Sequence, residues 1–200
     1  MFRKSSNNPF IPVGGLNSGS FSQIGGPETV NQRFKGLLGQ TVVYDNAAAL
    51  KASKLSVGTL YAGVYQLVKL NSSVLRGQVC YWDTLANNGL NDFEVTTTVT
   101  APAIFKAGIA ICDGTNGEFV WIQIAGLASV LYRAAVTSAV LGNLVITTSA
   151  TAADCDALAD AGAFSTALAM KQLVGTAYEL PVNSSIRRVS LNLAGFLQNI

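Results

Sequence analysis

Two hundred residues suffice for one ordinary domain with a sizeable core; half of them are hydrophobic, 12% are charged and the net charge is +2. An average chain is about 25% charged, so this profile suits a subunit that hides surface in an assembly better than a free monomer. The charge balance is too small to signal nucleic-acid binding, and the absence of histidine removes Ser-His-Asp and Cys-His pairs, an imidazole base and His metal ligands.

Residues 1–40 hold seven Gly and three of the five Pro, with Asn and Ser between them. No strand or helix period runs through them, so they are read as an extended N-terminal arm. Phe2, Phe10, Ile11, Phe21, Ile24 and Phe34 are scattered along it, more aromatic anchors than a solvated linker carries, which predicts an arm that orders against a neighbour. Arg3, Lys4, Arg33 and Lys35 face only Glu28 in residues 1–44, making the arm mildly basic and suited to an acidic partner. Asn7, Asn8, Pro9 and Pro12 break up any signal peptide.

From residue 41 onward the pattern changes to short runs of period 2, read as one β-rich domain over 41–200. Thr41–Tyr44, Val64–Leu70 and Val74–Trp82 come first, with Asn71-Ser72-Ser73 predicting a hairpin between the second and third. Phe93, Val95, Thr97 and Val99 alternate with Glu94, Thr96, Thr98 and Thr100, a half-buried strand rich in β-branched residues. Gly108–Cys112 follows, then the turn Asp113–Gly117. In 119–124 the run Phe119, Trp121, Gln123 interleaves with Val120, Ile122, Ile124, so both faces of that strand are expected to be covered. Leu127–Tyr132, Asn143–Thr148 and 188–193 complete the set. Thr151–Phe164 admits either a short Ala-rich helix or a loop. No repeat of 20–50 residues is evident, which excludes a solenoid. The expected fold is therefore all-β, a single small barrel or sandwich-like domain with an extended N-terminal arm.

Chemistry-bearing patterns are sparse. Neither a GxGxxG nor a GxxxxGK[ST] loop occurs, so no cofactor is expected. Asp154, Asp156 and Asp160 cluster without EF-hand spacing and read as a solvated acidic loop. Asp113, Asn116 and Glu118 flank a Gly-rich tip, where a plain turn is favoured and a bound cation stays open. Tyr61, Tyr65, Tyr81, Trp82 and Trp121 fall within strands and read as core or interface rather than as a sugar platform. Cys80, Cys112 and Cys155 form no CxxC pair, which argues against a disulfide framework and suits a reducing cytoplasm. The longest uncharged run, Ala134–Ala153, is interrupted by seven Ser, Thr or Asn residues, so no membrane span is expected. No catalytic or metal site emerges.

The stretch Lys106–Leu131, KAGIAICDGTNGEFVWIQIAGLASVL, resembles a recurring segment of tailed-phage capsid decoration (cement) proteins. In that segment a small-residue strand turns through a Gly-containing tip and returns as G-E-x-x-W-x-Q-x-x-G, here Gly117, Glu118, Trp121, Gln123 and Gly126. Upstream, Leu75–Thr84 looks like the preceding G-Q-V-x-Y-W-D strand; downstream, Val174–Glu179 and Arg187-Arg188-Val189 look like the closing pair. The likeness spans roughly residues 55–194, with the arm outside it. It implies a virion protein on the capsid surface, assembled in the host cytoplasm. Its implied partners are the major capsid protein and itself, as a homotrimer, with neither nucleic acid nor membrane. The capsid contacts would fall on the arm, at Phe2, Arg3, Lys4, Phe10, Phe21, Arg33 and Lys35. The alternatives are a fibre-type or receptor-binding virion protein and, in another class, a small polysaccharide-degrading hydrolase.

Overall fold

The computed structural model describes residues 38–46, 60–83, 93–97, 106–147, 154–157 and 173–191. Their named elements are ten strands: β1 (Thr41–Tyr44), β2 (Gly63–Leu70), β3 (Val79–Trp82), β4 (Glu94–Thr96), β5 (Lys106–Ala110), β6 (Phe119–Leu131), β7 (Leu144–Thr147), β8 (Cys155–Ala157), β9 (Leu173–Ala177) and β10 (Ile186–Leu191). The all-β expectation holds.

Strands β2, β4, β3, β5 and β6 pair in that order, and β6 pairs back to β2, closing a five-stranded barrel. Every pairing in this ring is antiparallel except β2–β4, where Lys69 and Leu70 lie beside Glu94 and Val95 in parallel. Period 2 in the sequence is the cause of the ring's interior. Val120, Ile122 and Ile124 point inward with Val68, Leu70, Cys80, Val95, Ala107 and Ala110. Phe119 and Trp121, one residue out of phase, point outward against Val42, Tyr44, Leu60, Tyr65 and Leu67. Both faces of that strand are covered, as apolar residues on both of its phases imply. Each such fully buried side chain contributes about 1.5–3 kcal/mol relative to exposure.

The remaining strands repeat this plan. Beyond Gly126, β6 pairs with β10, and the order continues β10-β9-β7-β8. Cys155 of β8 then returns to Tyr132 through a parallel bridge, with the Arg133 N–H donating to Cys155 O at 2.9 Å. The second set thus follows the order β6-β8-β7-β9-β10, matching β2-β4-β3-β5-β6, with the single parallel bridge just past β6 standing where β2 and β4 pair in parallel in the first ring. Its interior holds Val130, Tyr132, Val145, Val174, Ala177, Val189 and Leu191. Val79, Tyr81 and Ile109, on the outer face of β3 and β5, join that same cluster and weld the first ring to the second.

The turns repeat too. The Gly77 N–H donates to Ala110 O and the Ala110 N–H to Gln78 O; the Gly117 N–H donates to Leu70 O and the Leu70 N–H to Glu118 O. In the second ring the Gly142 N–H donates to Ala177 O and the Ala177 N–H to Asn143 O, while the Ser184 N–H donates to Arg133 O. All four turn residues have positive φ: 86° at Gly77, 88° at Gly117, 80° at Gly142 and 48° at Ser184. Gln78 and Glu118 even cap their turns alike, accepting from the Leu75 and Thr115 N–H groups at 2.8 and 2.7 Å.

Two expectations need correction. The Asn71-Ser72-Ser73 turn does not make a hairpin, because β2 pairs with β1, β4 and β6 while β3 pairs with β4 and β5. Residues 74–78 belong to the turn rather than to a strand, apart from the Val74–Gly114 bridge. Separately, the two rings repeat at a spacing of about 65 residues, as from Gly77 to Gly142 and from Gly117 to Ser184, longer than the 20–50-residue repeats that the sequence lacks. The repeat resides in backbone hydrogen bonds that many side chains can satisfy, and so leaves little trace in residue identity. Of Thr151–Phe164, Cys155–Ala157 is strand, Asp154 is also described, and the rest lies outside the described residues.

Gly126 links the two rings. Its φ is +95°, and an added Cβ would meet the Ala62 carbonyl oxygen and the Gly63 backbone. Gly142 has a similar φ but open space around it. Gly142→Ala should therefore cost about 1–2 kcal/mol, the left-handed penalty alone. Gly126→Ala should cost more than about 3 kcal/mol, because backbone must also move. Chemical denaturation of the two variants checks this ranking.

Candidate interaction surface

The arm residues Phe2, Arg3, Lys4, Phe10, Phe21, Arg33 and Lys35 lie outside the described residues. What is described is the point where the arm joins the barrel. The Gly39 N–H donates to Leu67 O at 2.8 Å, the Leu67 N–H donates to Gln40 O at 3.0 Å, and Gln66 Nε2 donates to Gly39 O at 3.1 Å. Directly after this clasp, β1 runs antiparallel to β2, with Thr41 opposite Gln66 and Tyr44 opposite Gly63. Val42 and Tyr44 are buried, and the Tyr44 ring meets Tyr65 edge-on at 5.5 Å.

The acidic groups singled out in the sequence are engaged by the protein itself. Asp113 Oδ1 accepts from the Arg76 N–H at 2.7 Å, and Glu118 holds its own turn. Asp154 accepts from Gln78 Nε2 at 2.9 Å. Asp156 accepts from the Thr137 N–H and hydroxyl at 2.8 and 2.6 Å and from Arg133 at 3.2 Å. Asp160 is outside the described residues. Among the described residues no three Cys, Asp or Glu side chains gather as a metal set. Of the strand aromatics, Tyr65, Tyr81 and Trp121 are buried, while Tyr61 and Trp82 are half-buried.

Several ionisable groups are buried inside the rings. Burial, reinforced by the neighbouring Cys112, pushes the Cys80 thiol up to about 12. Burial, with Asp113 and Glu118 nearby, does the same to Cys112. Cys155 is raised further, again mainly by burial. These thiols stay protonated near neutral pH and are not poised nucleophiles. Lys106 is buried at the junction of the rings, and loss of solvent lowers its ammonium to about 8 against some support from Cys155. The surface carries a different chemistry. Arg188 lies 5.9 Å from the Tyr61 ring centre and 5.3 Å from that of Tyr178, and its Nε donates to Glu179 Oε1 at 2.6 Å. On the same turns Val140, Leu141, Leu180, Val182 and Ile186 are exposed apolar residues, beside the partly exposed Arg188–Glu179 pair. Sequence reasoning missed this group, because its members other than Ile186 and Arg188 of β10 lie outside strands and carry no period.

The buried acids fix an alkaline limit. A thiol or phenol raised in the folded state contributes stability that is present below its unfolded pKa, 9.0 for cysteine, and is lost as pH climbs toward the folded value. Lys106, lowered from 10.5 to about 8, works the other way, adding stability as pH rises through that window. The three cysteines and the phenols of Tyr44, Tyr65, Tyr81 and Tyr132, all raised by burial, outnumber it. The urea midpoint should therefore fall between about pH 9 and 11, and Cys80→Ala should make that fall shallower; a flat profile would contradict the burial of these groups.

No protein-family model matches this chain, and no curated protein matches it. Among solved structures it is similar to the head fibre gp8.5 N base of bacteriophage phi29, at 12% identity and a TM-score of 0.43, over 64% of this chain and 93% of that one. It is also similar to the capsid of Myoviridae phage XM1, at 14% identity and a TM-score of 0.41, over 64% of this chain and 83% of that one. At this degree of overlap neither structure carries an argument about this chain.

Proposed function

We propose that this chain is a structural component of a tailed-phage particle, a non-catalytic cement protein that binds the capsid exterior and stabilises the head. The observation that supports it is what the family-like segment does within the fold. Gly117 makes the β5–β6 turn at φ 88°, and Glu118 caps that turn. Trp121 fills the outer core beneath β1. Gln123 Nε2 donates to the carbonyls of Ala125 and Leu127 at 3.1 and 2.9 Å, spanning the bend at Gly126. Each motif residue is thus spent on architecture, as expected of a protein whose task is to be a rigid, adhesive body.

The mechanism follows from mass action. A protein that binds only the assembled lattice shifts the disassembly equilibrium toward the intact head, and copies joined in a trimer gain further by avidity. The closed rings supply rigidity, and the arm supplies reach: 37 residues extended span up to about 120 Å. Phe2, Phe10 and Phe21 are the anchors, with Arg3, Lys4, Arg33 and Lys35 against acidic capsid surface.

Truncation tests this reading. Deleting residues 1–36 spares the clasp at Gly39 and should leave the β-domain folded while sharply weakening its retention on undecorated heads. Phe10→Ala should weaken retention more than Arg3→Ala, because a buried Phe lost to Ala costs ~3–5 kcal/mol in cores and somewhat less at a partly exposed contact. A basic residue at the rim contributes on the order of 1 kcal/mol or below and fades with salt. Occupancy after washing is the readout, and full occupancy by the truncated protein would overturn the role of the arm.

A further inference from the structure

The two rings share a plan, yet they treat one surface differently. In the first ring Ile111 and Phe119, which flank the turn at Gly117, are buried beneath Leu60 and the β1 residues Val42 and Tyr44. Their counterparts about the turn at Ser184 are Tyr178 and Ile186, and both are exposed. The topology explains the difference. The first ring is preceded by chain that can fold over it as β1, whereas β6 runs straight from the first ring into the second and leaves no residues between them to form such a cover.

The turn tips diverge in the same direction. Arg76, Asp113, Thr115 and Asn116 make the first ring's tip largely polar, with the Arg76 N–H bound to Asp113. The second ring places Leu141, Leu180, Val182 and Asn183 at the matching positions, with Val140 matching Leu75. Leu141 is 60% exposed, Tyr178 59%, Val140 55% and Leu180 51%. The hydrogen bonds of Gly142 and Asn143 with Ala177, and of Val136 with Asn183, draw the two turns into one surface. Where Val74 and Gly114 exchange two hydrogen bonds in the first ring, the second has Pro181 in place of Gly114, with no N–H to give.

We infer that this turn end of the second ring is the self-association surface, occupied by the same end of another copy of the chain. Its six apolar side chains, from Val140, Leu141, Tyr178, Leu180, Val182 and Ile186, expose on the order of 600 Å² together. That equals the largest patch an ordinary monomer shows and approaches the ~800 Å² each partner buries in a standard interface. The patch is apolar at its centre and edged by the Arg188–Glu179 ion pair, so identical tips meeting about a symmetry axis bury the same side chains from every copy. The inference rests on the reading of the chain as an assembling particle component and names the surface through which it assembles.

Leu141→Asp and Leu180→Asp place a charge in the patch without touching either ring's interior; Leu75→Asp places one at the exposed counterpart in the first ring. Sedimentation equilibrium of the full chain should show wild type and Leu75→Asp as the same oligomer. Association of Leu141→Asp and Leu180→Asp should be at least tenfold weaker, about 1.4 kcal/mol, with thermal unfolding otherwise unchanged. If one Asp variant fails to fold, the other decides. A monomeric wild type, or Asp variants that associate as wild type does, would overturn the inference. Occupancy on heads, measured in parallel, separates it from the cement reading: weakened association with residual head binding supports both. Intact association without head binding defeats the cement reading, and a monomeric wild type that binds heads, with that binding lost in the Asp variants, assigns the patch to the capsid and overturns self-docking.

Discussion

Strand β6 has to satisfy two sheets at once. Over Phe119–Gly126 it closes the first ring against β2, and over Leu127–Leu131 it opens the second against β10. A regular strand of 13 residues cannot turn from one barrel wall into another without interrupting its pleat. The interruption is built in three residues: Ile124 is extra in the register between Tyr65–Gln123 and Val64–Ala125, Gly126 takes a left-handed φ, and Gln123 ties the carbonyls on either side. The relative placement of the rings, the burial of Tyr81 between them and the position of the exposed turn end all follow from that bend.

The low charge content finds its explanation in this duplicated plan. Two ring interiors, the seam where Val79, Tyr81 and Ile109 meet the second ring, and the outer layer under β1 each require apolar residues, which leaves few positions for charge. Among the described residues several charges are tied locally, as in Lys69–Glu94 at 2.5 Å, Arg133–Asp156 at 3.2 Å and Arg188–Glu179 at 2.6 Å. Arg188–Glu179, with both partners about one-third exposed, contributes little stability, whereas Glu94 and Asp156 are largely buried against their partners; packing supplies most of the energy.

The strands were legible wherever one face differs from the other or both are apolar, as in 119–124 and around Val95. Pairing was not, because proximity in sequence says nothing of a strand inserted between neighbours: β4 occupies the place beside β2 that the Asn71–Ser73 turn offered to β3. Phe93 read as the first residue of a regular strand, yet it holds a φ of 49°, with its ring against Trp82 at 6.1 Å. The repeat escaped notice because Gly77, Gly117, Gly142 and Ser184 share a backbone role and little else. The exposed turn end of the second ring was invisible for a related reason, since a leucine in a turn has no period to betray which way it faces.

On the proposed reading the chain is a particle component that adheres at many points, through the exposed turn end and through residues 1–40. The number and location of its copies test that most directly. Cryo-electron microscopy of the intact particle should show this chain in many copies spread over the head exterior, with its arm laid along neighbouring capsid subunits. A handful of copies confined to the tail or to a fibre, with none on the head lattice, would contradict the account.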